Sequence, residues 1–321
     1  MRHLLFSLLL LLASTALLPA GDSRPLTIAV IPKGTTHEFW KAIHAGAQAA
    51  ARTLTASGQS VRIIWKGPLK EDDRAAQIEV VQGFVGQVDG MVLAPLDKTA
   101  LARPVADAVA AKCPVVVIDS ALDGTAHSAF VATDNRAGGA MAGRHLAGLL
   151  GGKGRVLVLR YQQGSASTEE REAGFLAAIS ASAGITVVDS TQYAGPTRES
   201  ALTASQNLLG RFQGRFDAVF TPNESSTAGM NLALKELGLA SSVIHIGFDA
   251  SAPLVAAMRA GEIKALVVQD PYRMGYLGVA TLADVLNGRP VTAHLATPLG
   301  LVTPANLDSA ETRALLDPAK P

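Results

Sequence analysis

Two passages, one in each half of the chain, follow the same plan. In the first half DGMVLAP (Asp89 to Pro95) leads on to PVVVIDS (Pro114 to Ser120). In the second, DAVFTP (Asp217 to Pro222) leads on to VIHIGFD (Val243 to Asp249). Each passage is an apolar run ending at a proline, then a helical stretch, then a second apolar run ending at an aspartate. Short apolar runs without alternation fit parallel strands that are covered by helices on both faces. A polar residue directly after such a strand stands at its carboxyl end, where open α/β sheets bind ligands. The repeat predicts two α/β units facing one another across a cleft, which is a binding architecture before any chemistry is considered.

The rest of the chain fits that plan. Its 321 residues suffice for two full cores, and a composition 48% hydrophobic but only 5% aromatic suits tightly packed α/β layers. Strand and helix signals alternate from Leu26 to about Asn287. The sequence predicts strands at Leu26–Ile31, Val61–Trp65, Met91–Ala94 and Val115–Ile118 in the first half. Between them it predicts helices over His37–Ala56, Glu71–Gln87 and Thr99–Ala111. The acidic cluster at Glu71 suits the positive end of a helix dipole. In the second half, helices beginning at Arg136, Glu169, Arg198, Ser225 and Tyr272 alternate with strands at Arg155–Leu159, Ile185–Asp189, Ala218–Phe220, Val243–Ile246 and Ala265–Val268. The tail His294–Pro304 is expected to add short extended pieces. No low-complexity linker separates the halves, so several short crossings are expected rather than one tether.

The first 20 residues read as an export signal. Arg2 and His3 form a short positive region, Leu4 to Leu18 an apolar run of about 15 residues, and Leu18-Pro19-Ala20 a cleavage site before Gly21. The run is short of the roughly 20 residues a spanning helix needs. No cysteine follows it, which argues against a lipid anchor. The expected product is a soluble protein of a bacterial periplasm. Its formal net charge of +1 falls to near zero once Arg2 leaves with the leader. With no basic patch or tail, nucleic acid is not an expected partner. The one cysteine, Cys113, cannot form an internal disulfide and reads as a small apolar residue at a helix–strand junction.

The polar residues at the predicted strand ends are the candidate site. After the first strand stand Lys33, Gly34, Thr35, Thr36, His37, Glu38, Phe39 and Trp40. Adjacent helix positions point about 100° apart, so Phe39 and Trp40 do not share one buried stripe. One is expected in the core and the other facing the cleft, although the local pattern alone leaves both in the core as an alternative. Asp119 and Ser120 follow a fully apolar strand, and a carboxylate there accepts charged hydrogen bonds from hydroxyls. Thr133-Asp134-Asn135 also reads as a helix cap. Ser167 with Glu170 reads as a capping box within Gly164–Arg171. Asn223-Glu224, Phe248-Asp249 and Gln269-Asp270 complete the set.

Several enzyme readings fail. The run Gly151-Gly152-Lys153-Gly154 follows a helix and precedes a strand, the reverse of a phosphate loop. No serine sits in a nucleophile elbow, and the seven histidines have no metal-like spacing. Asp119 and Asp249 could pair for acid–base work, but no nucleophile accompanies them. No cofactor, metal or catalytic residue is expected.

At these positions the chain resembles the periplasmic sugar-binding proteins of the ribose-binding type, from about Leu26 to Val302. The family's Asn-x-Phe-Phe loop is here His37-Glu38-Phe39-Trp40. Its Asp-Arg is Asp119-Ser120, and its Ser-Asp-Asn is Thr133-Asp134-Asn135. Its asparagine after the Phe-Ala-Gln run matches Asn223, its Gly-Phe-Asp is Gly247-Phe248-Asp249, and its hinge glutamine is Gln269. The resemblance implies two similar doubly wound parallel-sheet lobes joined by three hinge crossings. These are placed near 132–134, 269–271 and 297–301. One lobe would comprise residues 26–133 and 270–298, the other 134–269 and 299–321. The ligand would lie between them, held by Lys33, His37, Phe39, Trp40, Asp119, Ser120, Thr133, Glu169, Asn223, Glu224, Phe248, Asp249 and Gln269.

Departures from the ribose type redirect the expected ligand. Ser120 and Glu169 stand where that type has arginines, while Arg171 matches a neighbouring one. Lys33 occupies a position that is lysine in autoinducer-2 and rhamnose-binding relatives, but Glu224 replaces a small residue of the autoinducer-2 binder. A pocket enriched in carboxylates by Glu169 and Glu224 is expected, suited to a polyol, a deoxy- or amino-sugar, or another donor-rich ligand. The implied role is non-enzymatic: a monomeric receptor that delivers a small carbohydrate to an ABC importer's permease. The alternative is a periplasmic sensor that presents the ligand to a chemoreceptor or sensor kinase. A transcription regulator of this fold would need a helix-turn-helix where the leader stands.

Overall fold

The structure is a computed structural model that describes residues 24–316. The expected leader, its cleavage point after Ala20 and tail positions 317–321 lie outside the described residues. From Leu26 the chain runs through β1 (Leu26–Ile31), α1 (Glu38–Ala56), β2 (Val61–Trp65), α2 (Arg74–Phe84), β3 (Gly90–Leu93), α3 (Ala102–Ala110), β4 (Val115–Ile118) and β5 (Ala129–Ala132). It continues through α4 (Asn135–Leu149), β6 (Lys153–Val158), α5 (Ala166–Ser180), β7 (Gly184–Asp189), α6 (Arg198–Arg211), β8 (Ala218–Phe220), α7 (Glu224–Glu236), β9 (Ile244–Phe248), α8 (Ala252–Arg259) and β10 (Ala265–Gln269). Then follow α9 (Pro271–Leu286), β11 (His294–Ala296), β12 (Leu299–Val302) and α10 (Ala310–Leu316).

The strands form two six-stranded sheets. The first has the order β11-β5-β4-β3-β1-β2, with every pair parallel. The second has the order β12-β10-β9-β8-β6-β7, parallel except for the β10–β12 pair. The two orders are equivalent: the first strand of each lobe lies between its second and third. The winding direction reverses at β1/β3 and at β6/β8, and this leaves a crevice at the carboxyl ends. The chain passes between sheets after β5, after β10 and after β11. The fold is thus two similar doubly wound lobes joined by three crossings.

Side-chain alternation decides the layers. In β1, Ile28 and Val30 pack under α1 and α9, while Ala29 and Ile31 pack against α2 and α3. In β6, Val156 and Val158 meet α4 and α5, while Leu157 packs with α6 and α7. Burial on both faces explains why these strands are apolar without alternation.

On one face of each sheet the helices touch through glycine. A Cβ added at Gly46 of α1 would collide with the carbonyl of Tyr272, and one at Gly275 of α9 with that of Ile43. In the second lobe a Cβ at Gly139 of α4 would collide with the carbonyl of Arg171, and one at Gly174 of α5 with that of Arg136. In both lobes the helix after the first strand is therefore locked to a helix that starts directly after a crossing.

Three local readings change. The helix expected from Glu71 starts at Arg74, with the Asp73 side chain accepting from Ala76 N at 2.8 Å. Glu71 instead turns inward. The helix expected from Thr99 starts at Ala102, because Asp97 holds the N–H groups of Thr99 and Ala100 in a turn before it. Ser167 and Glu170 form no capping box, since Ser165 is the N-cap of α5. The strand β5 was not anticipated. Asp134 caps α4 as expected, accepting from Ala137 N at 2.9 Å. Cys113 is buried, and burial first, then the charge of Asp89, pushes its thiol up to about 11.

Candidate functional site

The residues after β4 and β9 set the site. Asp119 and Asp249 hold equivalent places, and each donates its N–H to the next strand, to Val131 O at 3.0 Å and Val267 O at 2.8 Å. Both adopt left-handed backbone, with φ of 64° and 67°. Aspartate enters that region more readily than most residues, at a cost of order 1–3 kcal/mol. Both residues line the space between the lobes.

Around these two carboxylates the lobes enclose a narrow space of about 30 Å³. Of the expected residues, Lys33, His37, Phe39, Trp40, Asp119, Asn223, Glu224, Asp249 and Gln269 line it. The other four lie elsewhere. Ser120 is buried beside the space, its Oγ accepting from Ser167 N at 3.0 Å across the lobes. Thr133 meets Thr297 Oγ1 at 3.3 Å and ties two crossings together. Phe248 is fully buried beneath Arg171, whose guanidinium carbon lies 4.2 Å from the ring centroid. Glu169 points away and pairs with Lys98 of the facing lobe at 2.7 Å. Glu71, Tyr161, Ser167, Thr168 and Arg171 complete the wall.

Lys33 and Glu71 organise the first lobe's side. The Lys33 ammonium lies 2.9 Å from Asp119 Oδ2 and donates to Ser167 Oγ at 3.1 Å. Glu71 Oε1 accepts from Trp40 Nε1 at 2.7 Å and lies 2.8 Å from His37 Nδ1. Its Oε2 accepts from Tyr161 Oη of the other lobe at 2.6 Å. Burial would raise the Glu71 pKa, but the hydrogen bond and charge of His37, with Lys33 and Tyr161, hold it below the usual carboxylate range. Burial likewise opposes a charge on His37, yet Glu71 outweighs it and raises the His37 pKa. Trp40 is in the core with its N–H bonded to Glu71, whereas half-buried Phe39 meets it edge-on at 5.0 Å.

Arg171 organises the second lobe's side. Its Nε donates to Asn135 Oδ1 at 2.8 Å, and its Nη1 donates to Pro222 O at 3.0 Å and lies 3.8 Å from Asp249 Oδ2. Asp249 also accepts from Gln269 Nε2 at 2.6 Å and from Glu224 N at 3.1 Å. Asn223 caps α7 through Ser226. Arg198 pairs with Glu224 Oε1 from outside. Among the described residues, three buried atoms on this wall have no partner: Arg171 Nη2, Glu224 Oε2 and Gln269 Oε1. An unpaired buried polar atom costs about 1–3 kcal/mol, and such groups normally meet a partner.

Burial drives the Asp249 pKa from 3.8 to about 6, offset in part by Arg171 and Gln269 and reinforced by Glu224 and Asp119. A pKa higher in the folded than in the unfolded state gives stability that is full below the unfolded value and lost as pH rises through the folded value. His37, also raised, acts in the same sense at higher pH. The ligand-free protein is therefore expected to gain about 1 kcal/mol from Asp249 between pH 7 and pH 5. Urea titrations across that range should show the gain, and Asp249→Asn should remove it. An unchanged pH slope in the variant would refute the assignment.

The family model for the periplasmic binding protein domain matches residues 28–290. The chain belongs to the periplasmic binding protein family. Among solved structures, it is similar to a carbohydrate transporter solute-binding protein from Agrobacterium radiobacter in complex with D-arabinose. That match is 32% identical, covers 91% of this chain and 99% of the other, and has a TM-score of 0.85. The periplasmic component of an ABC-type sugar transport system from Hahella chejuensis is 35% identical over 86% of this chain and 99% of its own, with a TM-score of 0.81. Among curated proteins, the ribose import binding protein of Bacillus subtilis is 28% identical, covering 88% of this chain and 89% of its own. All three relatives are components of sugar or carbohydrate transport.

Proposed function

We propose that this chain is a periplasmic solute receptor that captures a neutral, polyhydroxylated ligand between its lobes and delivers it to an ABC importer. The observation that carries this reading is that Arg171, Glu224 and Gln269 all line the space between the lobes, and that Arg171 Nη2, Glu224 Oε2 and Gln269 Oε1 are buried without a partner among the described residues. One donor and two acceptors suit hydroxyl groups, which both donate and accept. Phe39 offers an apolar face for the C–H side of a ring. The relatives that bind ribose and D-arabinose support the ligand class.

The charges favour a neutral ligand. Glu71, Asp119, Glu224 and Asp249 are answered by His37, Lys33, Arg198 and Arg171. An amino-sugar would find no carboxylate without a protein cation. The carboxylate enrichment expected from Glu169 comes instead from Glu71. Because the enclosed space is far smaller than a sugar ring, binding starts from a wider angle between the lobes. Closure would then remake the cross-lobe bonds of Lys33 with Ser167, Tyr161 with Glu71, and Lys98 with Glu169.

Thermal shift of the chain from Gly21 onward tests this against pentoses, hexoses, deoxy- and amino-sugars, and polyols. A neutral ligand at about 100 times its Kd is expected to add about 2.7 kcal/mol to stability. Silence from every neutral sugar and polyol would defeat the reading.

A further inference from the structure

A second chamber opens beside the enclosed space. It has a volume of about 450 Å³ and lies between α1 and the start of α9 on one lobe and the start of α8 and the end of α10 on the other. Phe39, Asp249 and Gln269 line both chambers, so the two adjoin.

The chamber is built with polar groups left free. Ser251 is only 6% exposed, and its Oγ has no partner among the described residues. Ser251 is the N-cap of α8, and an N-cap serine ordinarily accepts from the second or third residue of its helix. Here Pro253 stands second and has no N–H, and the side chain makes no cap bond. Arg198, engaged with Glu224 through Nη2, is on the same wall and keeps a buried Nε without a partner among the described residues. The rest of the wall is largely apolar, with Ala42 and Val268 on opposite lobes. Apolar surface with a few convergent polar groups is the pattern of a small-molecule site.

We infer that the outer chamber is a second subsite, and that the preferred ligand is a disaccharide or similar glycoside with one ring in each chamber. This rests on the reading of the inner space as a sugar site. A second ring would place its C–H face on the apolar wall and its hydroxyls within reach of Ser251 Oγ and Arg198 Nε.

Calorimetric titration of the full mature chain tests the inference with matched pairs: galactose against lactose and melibiose, glucose against maltose, cellobiose and trehalose, and xylose against xylobiose. At least one disaccharide is expected to bind tenfold or more tightly than its monosaccharide. Ala42→Trp fills the outer chamber alone and is expected to erase that advantage while leaving the monosaccharide Kd within twofold. Ser251→Ala, a milder change, is expected to weaken only the disaccharide, by three- to tenfold. Monosaccharides that bind as tightly as every disaccharide, or a disaccharide affinity indifferent to both variants, would overturn the inference. So would an Ala42→Trp variant that weakens monosaccharide and disaccharide alike. If no sugar of either size binds the native protein, the inner-site reading itself falls and the second subsite with it.

Discussion

Replacing Arg171 by methionine is expected to weaken sugar binding at least 100-fold and to lower stability by about 3 kcal/mol. Methionine keeps the unbranched stem as far as Nε, but it lacks the guanidinium that covers Phe248 and supplies no donors. Asn135 Oδ1 and Pro222 O lose the partners they now have at 2.8 and 3.0 Å, and Asp249 loses its nearest cation. Removing one member of a buried pair usually costs 3–5 kcal/mol because the other charge is stranded. Asp249 softens this loss, since its pKa is already about 6 and loss of the arginine charge would raise it further. The low end of that range is therefore expected. Binding loses the free Nη2, whose charged hydrogen bond to a hydroxyl contributes about 1.5–3 kcal/mol, and loses a correctly held Asp249 besides. Arg171→Lys should fall between, since it keeps the charge without the planar fork. Urea denaturation at pH 7.5 and calorimetry with the ligand found by thermal shift measure both effects. A variant that binds as the native protein does would remove Arg171 from the site.

Arg171 also shows where the sequence was legible and where it was not. Buried parallel strands leave a local signature, so Leu26–Ile31, Val115–Ile118 and Ala218–Phe220 are readable as strands to the residue. The strand ends then give Lys33, Asp119, Asn223, Asp249 and Gln269 as neighbours in one crevice, because a doubly wound sheet collects its carboxyl ends. The helix α5 is harder. Matching to the ribose type puts Glu169 where an arginine would be, but residues two apart on a helix point about 200° apart. Thr168 and Arg171, three apart, share the inward face and line the space, so Glu169 faces the rim and Lys98. Glu71 was hidden for a different reason. Three acidic residues in a row at 71–73 read as a helix start, and only contacts with His37, Trp40 and Tyr161, up to 90 residues away, turn Glu71 inward. The strand β5 is four residues long, its Phe130 is only half-buried, and little in its own sequence separates it from a loop.

Gly139→Ala is expected to lower the melting temperature by about 10 °C, although it adds a single methyl group. Overpacking a close contact costs about 1–3 kcal/mol, and in a domain of this size each kcal/mol moves the midpoint by about 2–4 °C. The upper end applies because the new Cβ would meet the Arg171 carbonyl, which is backbone and cannot rotate aside. Helices α4 and α5 would have to separate. The separation would carry Arg171 with it, so affinity should fall together with stability. Gly46→Ala is the matched change in the first lobe, where the obstructing carbonyl belongs to Tyr272. It should destabilise similarly without moving Arg171. Gly148→Ala, on α4 but with open space around it, is expected to be neutral or to stabilise by up to about 1 kcal/mol through helix propensity. The three variants thus separate a close-packing cost from a general effect of removing glycine. Differential scanning calorimetry with and without ligand reads both quantities. A Gly139→Ala midpoint within 1–2 °C of the native protein would show that the helix pair yields easily, and the tight coupling of both pairs to the helices that leave the crossings would then have no energetic basis.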